Sequence, residues 1–89
     1  ADAAAFLHAA QRDLDARRTG AAQEALERAE TRLLDRSTDP SQVNVPDRNP
    51  TVDTIEQARQ ALGRHDISGA RELISRALSE TASSERPPM

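Results

Sequence analysis

Four stretches of this chain carry apolar residues at steps of three and four, the spacing of one face of an α-helix. Ala3, Phe6 or Leu7, Ala10 and Leu14 mark the first, over residues 3 to 17. Ala22, Leu26, Ala29 and Leu33 mark the second, from about residue 21 to 36, with Ala25 and Leu34 widening the stripe. Val52, Ile55, Ala58 and Leu62 mark the third; Ile67, Ala70, Leu73, Ile74, Ala77 and Leu78 mark the fourth. The polar positions between them fall on the opposite faces. The pattern predicts an all-α chain of four amphipathic helices.

Local signals set the ends of these helices. Asp2 is placed to cap the first, its carboxylate accepting from a backbone N–H that lacks an intrahelical partner. Thr19-Gly20 reads as the turn into the second helix, with Thr as cap and Gly free to take a left-handed backbone. Asn49-Pro50 suits the start of the third, since proline at the first helical position loses no hydrogen bond. Asp66 is a candidate cap for the fourth. Asp13/Arg17, Glu24/Arg28 and the run Glu72/Arg76/Glu80 are spaced to pair on solvent-facing turns. Residues 37–50 hold three prolines among small polar residues, which forbids helix. Fourteen residues is long for a connection, so the segment is either functional or a crossover linker. The polar stretch 82–89, ending in Pro-Pro-Met, reads as a flexible tail.

A shift of 48 residues superimposes the two halves without a gap. Leu7 falls on Ile55, Ala10 on Ala58, Leu14 on Leu62, Ala22 on Ala70, Leu26 on Ile74, Arg28 on Arg76 and Ala29 on Ala77. Period alone aligns any two amphipathic hairpins, but it does not place Ala on Ala where two helices cross. Small residues there let backbones approach closely. The expected architecture is therefore two tandem antiparallel helical hairpins, 3–36 and 51–81, packed as a small bundle within one domain, 1–81, and joined by loop 37–50.

The run Leu62-Gly63-Arg64-His65-Asp66-Ile67-Ser68-Gly69-Ala70, with Leu73-Ile74 and Ala77-Leu78 after it, resembles the turn and second helix of a tetratricopeptide-type hairpin. The likeness covers residues 58–78. In the first copy it holds at Leu14, Ala22, Leu26 and Ala29, while Arg17-Arg18 replaces the family's small residue and Asp in the turn. The family's aromatic positions and its shorter period are missing, so the likeness is to the hairpin rather than to the solenoid. It implies peptide or protein binding. The run from Glu27 to Ser37 is also similar to small exported helical proteins of proteobacteria, a resemblance that implies no activity.

Composition narrows the functional classes. Of the apolar residues 16 are Ala and 16 are larger, and Phe6 is the lone aromatic, so the core is thin and little enclosed volume is expected. A core of this kind leaves an 89-residue domain marginal, or reliant on a partner subunit. The net charge of −3 makes no electrostatic case for nucleic acid. No apolar run reaches transmembrane length. The absence of Cys removes disulfides and thiol chemistry. His8 and His65 are the only imidazoles, and neither sits in a metal-ligand spacing. No nucleophile motif or phosphate-binding loop is present, and most carboxylates have an Arg three or four residues away, the pattern of a solvated helix surface. The expectation is a chain without catalytic, metal or cofactor residues.

The best candidate for a specific contact is the end of the second helix with the loop after it: Arg32, Asp35 and Arg36, then Asp47 and Arg48. These side chains either hold a carboxylate or phosphate of a partner or pin the loop to the helix end. The reading is a non-enzymatic module that binds a protein or peptide, or itself as a homodimer. The alternative is a small periplasmic carrier of an apolar ligand held between the hairpins. The opening Ala1-Asp2-Ala3-Ala4-Ala5 is compatible with a site of signal-peptide cleavage or with a shortened start. A periplasmic or secreted setting is the expectation, with cytoplasmic as the other.

Overall fold

The computed structural model describes residues 2–36 and 50–85, and for 35, 36 and 83–85 the backbone alone. Four α-helices account for most of them: α1 (Ala3–Asp15), α2 (Thr19–Arg36), α3 (Pro50–Gly63) and α4 (Ile67–Glu85). No strand occurs among the described residues. Helices α1 and α2 form one hairpin, α3 and α4 the other, and the within-hairpin interfaces are the largest. The hairpins then meet along two further seams, α1 against α4 and α2 against α3, which closes the four helices into a ring. Gln11 reaches Ser75, and Asp15 reaches Arg71. An advance of four residues along α1 is thus a retreat of four along α4, so the two run antiparallel.

The apolar stripes face inward. Leu7, Leu26, Ile55 and Ile74, one from each helix, are the largest fully buried side chains. Ala10, Ala22, Ala29, Ala58, Ala70 and Ala77 pack among them at 0% exposure, and Ala3, Leu14, Ala25, Ala61 and Leu62 complete the core. Every alanine that the 48-residue shift places on another alanine is therefore packed between helices. Phe6 and Leu33 lie half-buried at the margin of this core.

The outer end of the second hairpin is more polar than the stripe predicts. Val52 is only half-buried, while Thr51 and Thr54 are buried beside Ile55. Thr54 donates to the Pro50 carbonyl (3.0 Å), and buried Thr81 donates to the Ala77 carbonyl (2.8 Å). Each hydroxyl thus satisfies itself within its own helix, which removes most of the cost of burying it. Thr81 takes the place that Leu33 holds in the first copy. Leu34 does not widen the core stripe, being 51% exposed.

The helix ends hold the principal corrections. Asp2 caps α1 as expected, accepting from the Ala5 N–H at 2.9 Å. The first helix stops at Asp15 rather than 17, and the turn is Ala16-Arg17-Arg18 instead of Thr19-Gly20. Thr19 and Gly20 are already helical, and Gly20 has no positive φ. The residue in the left-handed conformation is Arg17, with φ 62°. The Arg18 N–H reaches back to the Asp13 carbonyl (2.7 Å) and the Arg17 N–H to that of Leu14 (3.0 Å), a Schellman closure. Those bonds close α1 without glycine, because two satisfied carbonyls offset the strain at Arg17. At the other end, α4 continues to Glu85, so residues 82–85 are helical where the sequence reading begins a flexible tail. Residues 86–89 and the loop from 37 to 49 lie outside the described residues.

Of the surface pairs expected from spacing, Arg76–Glu80 forms at 3.9 Å. No Asp13–Arg17 or Glu24–Arg28 ion pair is found among the described residues. Arg17 has left the helical path that would bring it over Asp13.

Candidate functional site

The contact predicted at the end of α2 falls largely beyond what is described. Arg32 is exposed on α2. Asp35 and Arg36 belong to the last turn of that helix, with side chains outside the described residues, as are Asp47 and Arg48 entirely. Arg32, Asp35 and Arg36 share the last turns of α2 at helical spacing, and the contacts of the last two and of the loop pair lie outside the described residues. The geometry that can be followed lies at the α2/α3 seam and at the end of the bundle that carries both short turns.

At the seam, Arg59 of α3 spans to three side chains of α2. Its guanidinium donates to Glu30 (2.8 Å), to Glu27 (3.0 Å) and to the Gln23 side-chain Oε1 (3.4 Å), while the Gln23 side-chain Nε2 donates back to the Arg59 backbone carbonyl (3.0 Å). The planar fork of Arg suits this divergent set of acceptors. Gln23, Glu27, Arg59, Glu56 and Gln60 line an open groove of about 440 Å³. The 48-residue shift carries Gln11 to Arg59 and Glu27 to Ser75. The Gln11–Ser75 contact (3.3 Å) across α1/α4 and the Arg59–Glu27 contact across α2/α3 are therefore the same contact in two copies. The ring has an internal two-fold, with one seam neutral at this position and the other ionic. Arg59 is already occupied by its neighbours, so the groove's chemistry is mainly structural.

The turn end is different. The two turns obey the same 48-residue shift bond for bond: Asp66 N–H to Ala61 carbonyl (2.9 Å) and His65 N–H to Leu62 carbonyl (3.0 Å) repeat the bonds of Arg18 and Arg17. His65 sits at φ 62°, as Arg17 does. Between these turns lies a depression of about 590 Å³, lined by Leu14, Asp15, Arg17, Thr19, His65, Ile67 and Arg71. Asp15 pairs with Arg71 across the α1/α4 seam. The Arg17 and His65 side chains have no hydrogen-bond partner among the described residues. The result is a half-apolar concavity whose rim carries two arginines and an imidazole against one carboxylate. Such a rim attracts anions more strongly than the chain's net negative charge suggests.

The turns differ in one respect. Asp66 caps α4 by accepting from the Gly69 N–H (3.0 Å), and its carboxylate fills the space a Gly69 side chain would need. Arg18 stands at the matching place before α2 and has no acceptor to offer. Asp66 is legible as a cap from the sequence, whereas Arg17 and His65 do not stand out there as a pair. The signal was available: the shift that sets Leu14 on Leu62 also sets Arg17 on His65.

No group of three or more His, Asp or Glu side chains is placed to hold a metal ion among the described residues. None of the described helices is long and apolar enough to cross a membrane. The chain matches no protein-family model, and neither the curated proteins nor the solved structures offer a significant match.

Proposed function

We propose that the chain is a non-enzymatic helical interaction module that recognises a peptide segment of a protein partner. The observation that carries this reading is the division between interior and surface. Leu7, Leu26, Ile55 and Ile74 close the interior with alanines around them, while the depression at the turns is open and rimmed by charged side chains. A surface of that kind recognises by polar contact around a small apolar centre, as peptide-binding faces do. The resemblance of residues 58–78 to a tetratricopeptide-type hairpin points the same way. A carrier of apolar cargo needs an unfilled apolar space between the hairpins, and the close approach at Ala10, Ala22, Ala58 and Ala70 works against one.

The test is an array of short peptides probed with labelled protein, followed by titration of the hits in solution. Saturable binding that unlabelled protein competes away supports the module. Stoichiometric uptake of an apolar fluorescent probe into the interior, with no peptide bound, overturns it in favour of the carrier. An exported setting remains part of the proposal, and cell fractionation of the native protein tests it.

A further inference from the structure

We infer that the depression between the two turns is a binding site for an acidic peptide segment in which a carboxylate stands next to an apolar side chain. The inference rests on the module reading above and names its site and ligand chemistry. Half-buried Ile67 supplies apolar surface above the buried Leu14, and Arg17, His65 and Arg71 supply donors around it. Arg71 is partly satisfied by Asp15, whereas Arg17 has no acceptor among the described residues, so a ligand carboxylate meets an unshared guanidinium with bidentate geometry. A volume of about 590 Å³ accommodates one or two side chains, not a folded surface.

The backbone adds a further argument. Both turns place a residue at φ 62°, where glycine fits without strain and Arg or His does not. Both non-glycine residues line the same depression. A chain selected for stability alone would carry glycine at these places, and residues held in strained conformations gather where side chains have work to do. The carboxylate can come from a peptide C-terminus or from an Asp or Glu side chain; the shared chemistry is a carboxylate beside an apolar group.

The experiment is an NMR titration of the isotopically labelled chain with three probes: acetyl-Ala-Glu-Glu-Leu with a free C-terminus, the same peptide as its amide, and acetyl-Ala-Gln-Gln-Leu-amide. Shifts are expected at Leu14, Arg17, Thr19 and Ile67 with the acidic peptides, weakening as salt is added. The amide tells the two carboxylate sources apart: unchanged affinity assigns the side chains, and loss of affinity assigns the C-terminus. Variant R17G/H65G removes two donors while relieving the strained backbone, so it is expected to melt at a higher temperature yet bind at least fivefold more weakly. Gain of stability with affinity unchanged overturns the site. Equal binding of the neutral amide overturns the role of charge. Shifts confined to the Gln23–Arg59 groove place the ligand elsewhere, which leaves the module standing and the turn site refuted. Silence from these probes with array hits that bind elsewhere does the same, and silence from both array and probes removes both readings.

Discussion

Arg17 and His65, 48 residues apart in the chain, hold the same left-handed backbone at φ 62° and line the same depression at one end of the bundle. Each closes its hairpin at the position that glycine most often occupies. R17G and H65G are each expected to raise stability by about 0.5–1 kcal/mol, the strain relieved less the entropy that glycine adds to the unfolded chain. Urea denaturation of the two single variants measures this. A loss of stability in both would mean that the turns are held by their side chains rather than by the Schellman bonds.

The unequal capping of α2 and α4 gives a second pair of outcomes. Asp66→Ala removes an acceptor from the Gly69 N–H and is expected to cost about 1 kcal/mol. Arg18→Asp supplies the missing acceptor to α2 and is expected to stabilise by about 0.5–1 kcal/mol. Thermal melts of both proteins against the parent read the two signs.

Glycines 20 and 69 separate in the same manner. A Cβ at Gly20 meets nothing within 4 Å, so Gly20→Ala is expected to stabilise by about 0.5 kcal/mol. A Cβ at Gly69 runs into the Asp66 carboxylate, so Gly69→Ala is expected to destabilise, by displacing the cap. Chemical denaturation distinguishes them, and equal gains at both sites would contradict the position assigned to Asp66.

The internal two-fold makes the core testable in matched pairs. Leu26 and Ile74 are both at 0% exposure in equivalent positions, and truncation of either to Ala is expected to cost about 2–4 kcal/mol. Ala10→Leu and Ala58→Leu are expected to cost at least about 1–3 kcal/mol each, because the helices have no room to separate without opening both seams. Costs that differ widely within a pair, measured by urea unfolding, would show that the two copies do not share one packing.

At the polar seams, a double-mutant cycle on Arg59 and Glu30 is expected to give a coupling of about 0.5–1 kcal/mol, since Glu30 is only 14% exposed. The same cycle on Arg71 and Asp15, at 51% and 65% exposure, is expected to return near zero.

The helices and their inward faces were legible in the apolar spacing, because burial and period are both written in residue type. Asp2 and Asp66 were legible because an Asp before an apolar run has a mechanism, the accepting carboxylate. The turn at Arg17 was not, since the expectation followed glycine to Gly20 while the chain closed α1 through backbone hydrogen bonds that any residue can make. The buried threonines escaped for a related reason: a hydroxyl that bonds its own helix packs like an apolar group. The turn-end depression was hidden because its residues come from both halves and are joined only by the bundle's topology. Arg32, a candidate on the sequence, stands exposed on α2. The four residues named with it, Asp35, Arg36, Asp47 and Arg48, have side chains beyond the described part of the chain.

The four helices close their core within one chain, so the proposed module acts as a monomer. An outward-facing stripe at Phe6 and Leu7 would argue otherwise, but Leu7 is fully buried and Phe6 packs against the core. Sedimentation velocity from micromolar to millimolar concentration reads this closure. A single species of 9.7 kDa throughout is the predicted result. A dimer that persists on dilution would mean that the apolar stripes are satisfied between chains, and would overturn the single-chain core.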